Sequence, residues 1–199
     1  MTKILVINSS LNSEHGNSYK ASSYYVDEAK KKNKDIVIEN LDLNKENLPH
    51  LSSEEMQAWS LKPENRDDQQ KQLAKYSDKY IKLVNEADKI ILAVPMYNFD
   101  SPSVLKAFFD RIVRAGISFS YTENGPVGLI KGKKVTVLAA RGGKYQGTEL
   151  DTQSKYLKNI LGFIGMTNVE FHYIEGLAMG EESAKSAWDN FFKKISEPK

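Results

Sequence analysis

One loop of the chain has a composition suited to binding a flat, partly polar ring system. Residues 95–102 read Pro-Met-Tyr-Asn-Phe-Asp-Ser-Pro, with a proline at each end. The prolines stiffen the backbone, and Met96, Tyr97 and Phe99 supply aromatic or polarizable surface where a solvated turn would carry small polar residues. Asn98 adds one amide. The alternative is a loop that inserts its aromatic side chains into the core, and this loop alone does not decide between the two.

A second loop, after residues 3–8, concentrates hydroxyl and amide side chains just before a predicted helix. Its Ser and Asn residues are Ser9, Ser10, Asn12, Ser13, Asn17 and Ser18. Such groups, with free backbone N–H groups at a positive helix end, can bind a phosphate without a lysine. Ser and Asn are also common helix caps and turn formers, which is the alternative. No dinucleotide fingerprint and no P-loop motif is present, which disfavours Rossmann dehydrogenases and P-loop NTPases.

A third loop, 140–143, reads Ala-Arg-Gly-Gly and follows a strand predicted at 133–139. Paired glycines let backbone N–H groups approach a ligand without side-chain obstruction. Donors at this position could face a ring atom that gains negative charge, as an oxyanion hole does. An ordinary glycine-rich turn is equally compatible with these residues.

Side chains that could act as acids, bases, nucleophiles or metal ligands are scarce. The chain has no cysteine, its three histidines, His15, His50 and His172, are far apart, and no metal-ligand spacing occurs. A pocket with aromatic residues, amides and a phosphate site but no obvious acid or base indicates that a cofactor carries the chemistry. A flat ring with a phosphate predicts flavin mononucleotide, FMN.

The elements that must position these loops alternate regularly between strand and helix. Strands are predicted at 3–8, 35–43, 89–94, 133–139 and 168–174, and helices at 18–32, 67–87, 103–114, 150–163 and 181–195. This alternation predicts an α/β fold with helices on both faces of a parallel sheet in the order 2-1-3-4-5. In that order the loops after strands one, three and four lie together at the carboxyl edge.

Two stretches lack a clear period and are predicted to be irregular. Residues 44–66 form a long connection, and we expect that Trp59 within it overhangs the pocket. Residues 115–130 carry turn chemistry at 121–126.

Composition narrows the class of protein. A chain of 199 residues with 40% hydrophobic content predicts one globular domain, residues 1–199. Net charge is +2, with 28 basic residues interspersed among 26 acidic ones, so we expect neither nucleic acid nor an anionic membrane as a partner. No apolar run is long enough for a membrane span, and the chain enters its first strand almost at once, which predicts a cytoplasmic location.

Taken together, several motifs resemble the FMN-dependent NADH azoreductases, also called NADH:quinone oxidoreductases, a bacterial branch of the flavodoxin-like fold. The resemblance extends over nearly the whole chain and is strongest at 95–99, 111–117, 121–126, 141–143 and 161–165. It implies a flavodoxin-like, doubly wound, five-stranded parallel sheet.

Carried over residue by residue, the resemblance also implies a binding site. It places the FMN phosphate on Ser10, Gly16, Asn17 and Ser18. It places the ring and ribityl chain against Met96, Tyr97, Asn98 and Phe99, and the polar edge of the ring against Ala140, Arg141, Gly142 and Gly143. Tyr121 and Phe163 resemble aromatic residues that line the substrate pocket. The family commonly has serine where Gly16 and Ala140 stand here, so no side-chain hydrogen bond is expected at either position.

The implied activity is NADH-dependent reduction of quinones and cleavage of aromatic azo compounds by a ping-pong cycle. The N5 atom of the flavin carries the hydride, so no catalytic side chain is expected. The implied assembly is a homodimer with two flavin sites near the subunit interface. Two alternatives stay open, a flavodoxin-type electron carrier and a non-catalytic flavin-binding regulatory protein.

Overall fold

The computed structural model describes residues 1–197, and its strands match the predicted order. The strands are β1 (Thr2–Asn8), β2 (Ile36–Asp42), β3 (Lys89–Pro95), β4 (Phe119–Thr122), β5 (Gly125–Gly128), β6 (Lys134–Ala140) and β7 (Asn168–Ile174). Five of them form a parallel sheet in the order β2-β1-β3-β6-β7. Because β6 and β7 are the fourth and fifth strands of that sheet, the predicted order 2-1-3-4-5 is confirmed.

Helices connect consecutive strands of the sheet and cover both of its faces. They are α1 (Asn17–Lys32), α2 (Ser53–Ser60), α3 (Asp68–Glu86), α4 (Ser103–Ile112), α5 (Thr152–Phe163) and α6 (Glu181–Ser196). The longest, α3, begins at a capping box in which Asp67 and Gln70 each satisfy the backbone N–H of the other, a strong start signal in sequence. Since strands β1, β3 and β6 lie inside the sheet, they are buried along nearly their whole length and consist mainly of apolar residues.

The core is divided into two layers by the sheet, because successive side chains of a strand point to opposite faces. On one face, Leu5 of β1 and Leu92 of β3 pack with the helices α3, α4 and α5. On the other face, Val6 and Ile91 pack with α1 and α6. The candidate site lies at the carboxyl edge of the sheet, beyond both layers of the core.

The prediction that residues 115–130 are irregular was wrong. Strands β4 and β5 form an antiparallel hairpin that packs against the carboxyl end of α5. A Cβ atom at Gly128 would lie 2.0 Å from the backbone nitrogen of Gly165, so only glycine permits this approach. Strands of four residues are too short to show the alternation on which the prediction depended.

The prediction that residues 44–66 lack regular structure was also wrong, because they contain α2. Its Glu55 is buried and receives two hydrogen bonds from the Arg111 guanidinium, at 2.7 and 2.8 Å. The carbonyl of Trp59 accepts a hydrogen bond from Arg114 at 2.6 Å. This segment is therefore fixed to α4 and to the turn after it, and Trp59 does not line the cleft described below.

None of the helices within residues 1–197 combines the length and apolar character needed to cross a bilayer.

Candidate functional site

The loops after β1, β3 and β6 meet in one cleft at the carboxyl edge of the sheet. Strand register explains this, because Asn8 pairs with Ala93 and Pro95 pairs with Ala140, which brings the three strand ends side by side. The cleft is lined by Ser10, Asn12, Gly16, Asn17, Pro95, Met96, Tyr97, Ala140, Arg141, Gly142, Leu177 and Ala178. This edge is where open α/β sheets bind ligands.

The amino end of α1 forms one end of the cleft and has unused hydrogen-bond donors. Gly16 is the N-cap and supplies no side-chain cap. The N–H groups of Asn17, Ser18 and Tyr19 lie in the first turn, where no intrahelical acceptor exists, and none finds another acceptor within residues 1–197. Ser18 is only 1% exposed, and its hydroxyl also lacks a partner there. A buried hydroxyl without a partner costs about 1–3 kcal/mol, so this cluster fits an anion such as a phosphate.

Ser10 completes this end of the cleft. Its hydroxyl oxygen accepts the N–H of Asn12 at 3.2 Å and lies 3.4 Å from the hydroxyl of Tyr97. A Cβ atom at Gly16 would lie 2.3 Å from the Ser10 hydroxyl oxygen. The backbone of Gly16 is extended, with φ of −77°, so space and not conformation requires glycine here.

A tight turn at 97–100 forms the aromatic wall. Backbone hydrogen bonds link Tyr97 and Asp100 in both directions, at 2.9 and 3.0 Å. Asn98 and Phe99 between them have φ of 50° and 67°. Asn tolerates this left-handed region, whereas for a bulky residue it costs about 1–3 kcal/mol and must be held by its surroundings. The turn leaves Met96 and Tyr97 half-buried in the cleft, with Asn98 and Phe99 exposed at its rim.

Backbone donors form the opposite, polar wall. The carbonyls of Gly142 and Gly143 accept N–H groups from Ala178 and Gly176, whereas their own N–H groups have no acceptor among the described residues. The N–H of Arg141 is already bound to the Ile174 carbonyl, at 2.9 Å. The glycine pair therefore supplies the N–H groups of the 140–143 loop that have no acceptor within residues 1–197.

Two residues of the cleft were missed from sequence: Leu177 and Ala178. Leu177 and Ala178 follow β7, the edge strand, which pattern reasoning placed away from the site. Their N–H groups bind the carbonyls of Arg141 and Gly142, which pulls this segment over the cleft. No local sequence signal would have identified them.

The structure does not bring Tyr121 and Phe163 to the cleft of their own chain. Helix α5 begins at Thr152, whose hydroxyl donates to the Phe99 carbonyl at the rim. Phe163 ends that helix, about 16 Å away at 1.5 Å per residue. Tyr121 lies at the same far end, since both rings pack on Phe119, with centroids 5.4 and 4.5 Å away.

A second concave surface lies at the amino edge of the sheet and includes His172 and Tyr25. His172 is buried there, with its Nε2 atom 3.2 Å from a Glu170 carboxylate oxygen. His15 and His50 are exposed, and neither lines the cleft. Within residues 1–197, no group of His, Cys, Asp and Glu side chains could hold a metal ion.

The cleft at the carboxyl edge combines an anion site, an apolar wall and backbone amide donors.

Comparison with known proteins assigns the chain to a family. A sequence profile described as flavodoxin-like fold matches residues 2–197. The chain is 53% identical over 198 residues to an FMN-dependent NADH:quinone oxidoreductase of Alteromonas mediterranea, covering 99% of this chain and 98% of that protein. It is 48% identical over 188 residues to the protein of that name from Pseudoalteromonas atlantica, covering 94% and 93%.

Among solved structures, an azoreductase from Bacillus anthracis superposes with a TM-score of 0.89 at 31% identity, covering 98% of this chain and 97% of that one. The agreement of profile, sequence and structure extends over nearly the whole chain. The chain belongs to the flavodoxin-like fold family, in its branch of FMN-dependent NADH:quinone oxidoreductases.

Proposed function

We propose that this protein is an FMN-dependent oxidoreductase that uses NADH to reduce quinones and to cleave aromatic azo compounds. The observation that carries this is the uncapped start of α1. The N–H groups of its first turn and the buried Ser18 hydroxyl have no partner within residues 1–197, and they lie beside a cleft lined by Asn17, Met96 and Gly142. The relatives' names, which specify FMN, NADH and quinone, support the same assignment.

Each wall of the cleft has a separate task in this proposal. Ser10, Asn17 and Ser18, with the backbone of Gly16, hold the phosphate. Met96 and Tyr97 cover one side of the ring and exclude water, which strengthens polar contacts nearby. The Gly142 and Gly143 N–H groups face the polar edge of the ring. When bound, FMN supplies a ring that accepts two electrons from NADH and returns them to a second substrate.

The proposal includes a ping-pong order. If the protein covers one side of the bound ring, NADH and the electron acceptor would use the same open side in turn. A quinone consumes one NADH and one proton to give a hydroquinone. An azo bond consumes two NADH and two protons, through a hydrazine, to give two amines.

The substrate pocket requires a second copy of the chain. Phe163 lies about 16 Å along α5 from the rim of its own cleft, and Tyr121 lies at the same far end, where both rings pack on Phe119. Near them, the hairpin and the turn before it expose the apolar side chains of Ile117, Tyr121, Val127 and Leu129. Such a patch is typical of a protein–protein interface. In the homodimer that we propose, the hairpin of one subunit covers the cleft of the other.

The first test is the purified protein. We expect a yellow protein that releases FMN and not FAD on denaturation. NADH alone should reduce the bound flavin under anaerobic conditions, and initial rates with benzoquinone should give parallel double-reciprocal lines. Bound flavin that NADH cannot reduce would instead indicate an electron carrier or a regulatory protein. Cell fractionation tests the proposed cytoplasmic location.

Subunit complementation tests the shared pocket. A Tyr121→Ala subunit keeps its FMN site but gives its partner a defective pocket wall. A Ser18→Asp subunit loses its FMN site but gives its partner an intact pocket wall. Mixed dimers should therefore regain one complete site and a quinone KM close to that of wild type. Failure to regain activity in verified mixed dimers would show that Tyr121 acts within its own subunit and would overturn the shared pocket.

A further inference from the structure

Arg141 is a fully buried arginine at the start of the glycine loop. Its side chain has 0% exposure, so the guanidinium cannot touch a ligand in the cleft. The Nη2 atom donates to the Asp151 carboxylate and to the Ser154 hydroxyl, both at 2.8 Å, and Nη1 donates to Glu175 at 3.0 Å. The guanidinium also lies 4.8 Å from the centre of the Tyr173 ring.

The bonds of Arg141 extend to every loop that forms the ring-binding part of the cleft. Its Nε atom donates to Gln153, whose amide donates in turn to the Pro95 carbonyl at 2.9 Å and the Asp100 carbonyl at 3.3 Å. The Glu175 carboxylate also accepts the N–H groups of Tyr145 and Gln146, both at 2.9 Å. One side chain thus connects the turn after β3 with both ends of the glycine loop.

The single guanidinium of this network serves two carboxylates, and all three groups are largely withdrawn from solvent. Asp151 and Glu175 side chains are 7% and 14% exposed beside the buried guanidinium. Burial by itself would raise the pKa of Asp151, but hydrogen bonds from Arg141 and Ser154 outweigh it and hold that pKa below its ordinary value. The planar fork of arginine serves several acceptors at once in fixed directions, which a lysine cannot do.

We propose that Arg141 is the positioning residue of the cleft, because its side chain fixes the distance between the aromatic wall and the Gly142–Gly143 donors. This inference rests on the proposed function, since it concerns where the FMN ring binds. Gln153 is the link through which Arg141 acts on the turn after β3.

The experiment compares Arg141→Lys and Gln153→Met with wild type and with Arg111→Lys. Arg111 is a matched control because it is equally buried and pairs with Glu55, yet it does not line the cleft. FMN is titrated into each apoprotein by fluorescence quenching, the potential of bound FMN is measured with a reference dye, and apoprotein unfolding is followed by circular dichroism. None of these measurements depends on turnover.

Arg141→Lys should raise the Kd for oxidised FMN about tenfold, and that for reduced FMN about tenfold more. The extra factor of ten in the Kd for reduced FMN corresponds to a reduction potential of bound FMN that is lower by about 30 mV, since FMN accepts two electrons. Gln153→Met should shift both quantities in the same direction by a smaller factor. Arg111→Lys should lower apoprotein stability and leave the Kd within twofold of wild type and the potential unchanged.

A loss of stability in Arg141→Lys with the Kd and the potential of wild type would overturn the proposal, since Arg141 would then be structural only. If Arg141→Lys does not fold, Gln153→Met decides, and values equal to wild type would again overturn it. A wild-type protein that does not bind FMN would contradict the proposed function itself, a result distinct from either of these.

Discussion

Replacing Ser18 by aspartate would put a carboxylate where we propose that the phosphate of FMN binds. Ser18 is the second residue of α1, is 1% exposed, and has a hydroxyl without a partner among the described residues. The new carboxylate could accept the free N–H groups of the first turn, as the phosphate would. We therefore expect it to compete with FMN for the same donors.

The expected magnitude follows from the distance and the burial. Two unit charges 4 Å apart repel by about 4 kcal/mol at an effective dielectric constant of about 20. A phosphate monoester carries about −1.5 to −2 charges at pH 7, so the repulsion is about 6 kcal/mol or more. Since each 1.4 kcal/mol changes affinity tenfold, the Kd for FMN should rise by at least about 10⁴. Ser18→Ala loses one hydrogen bond to a charged group, about 1.5–3 kcal/mol, and should raise the Kd by about 10- to 100-fold.

The assay separates binding from folding. FMN affinity is measured on apoprotein by fluorescence quenching, and apoprotein Tm by circular dichroism. An acidic residue in the first turn of a helix is favourable by about 0.3–1 kcal/mol, so Ser18→Asp should keep or raise the apoprotein Tm while losing FMN. Ser18→Asn has the same shape without the charge, and the exposed Ser23→Asp adds the charge further along α1. Both controls should bind FMN more tightly than Ser18→Asp.

Full FMN content in purified Ser18→Asp would show that the phosphate binds elsewhere. Equal loss of FMN in Ser18→Asp and Ser18→Asn would refute the electrostatic argument, because shape and not charge would then account for it.

Three further predictions concern the polar wall, the histidines and the acid stability. Gly142→Val should lower both FMN occupancy and the reduction potential of the bound FMN, since a Cβ atom at this position would already lie 3.3 Å from the Cβ of Ala178. If the variant and wild type had equal potentials at equal FMN occupancy, the polar edge of the ring would lie elsewhere. His15→Ala and His50→Ala should each keep the rate of quinone reduction within about tenfold of wild type, because removing a true acid–base residue lowers the rate by about 10²- to 10⁴-fold. A larger loss of rate in folded, FMN-loaded protein would contradict a mechanism in which the cofactor alone carries the chemistry. The Asp151 pKa is lowered by folding, so its contribution to stability is complete above its unfolded pKa of about 3.9 and is lost as the pH falls through its folded pKa. Urea titrations at several pH values should therefore show the stability gap between wild type and Asp151→Asn narrowing below about pH 4, and a gap that did not change with pH would refute this.

The sequence predicted those parts of the fold that depend on local apolar patterns. Strands β1, β3 and β6 are mainly apolar, without polar alternation, because both faces of the sheet are covered, and such segments can be predicted without tertiary information. Their ends then placed the three loops of the cleft. Helix α2 could not be found in this way, because it buries Glu55 and leaves Met56 51% exposed, the reverse of an amphipathic pattern. Its buried carboxylate is stable only beside Arg111, which lies 56 positions later in the chain.

Arg141 is an example, within the site, of a feature that local patterns in the sequence could not predict. The resemblance to the azoreductase family placed it at the polar edge of the ring, together with Ala140 and Gly142. In the structure its side chain points into the protein and is held by Asp151, Glu175 and Gln153. Those partners come from separate segments, so no spacing near Arg141 reveals them. Long-range pairing of buried charges is decided by the fold and leaves no periodic signal.

Two positions depart from the family pattern, Gly16 and Ala140, where the family commonly has serine. At both of them the shape of the cleft depends on backbone groups. A serine Cβ at position 16 would collide with the Ser10 hydroxyl, so glycine there preserves the contact between Ser10 and Tyr97. The side chain of Ala140 is buried, and its carbonyl accepts the N–H of Met96 at 3.0 Å. Neither position needs a hydroxyl to shape the cleft, because backbone N–H groups without an acceptor within residues 1–197 lie at both of its ends. At positions 16 and 140 the cleft requires only that the strands and α1 end in the right places, which is a property of the fold.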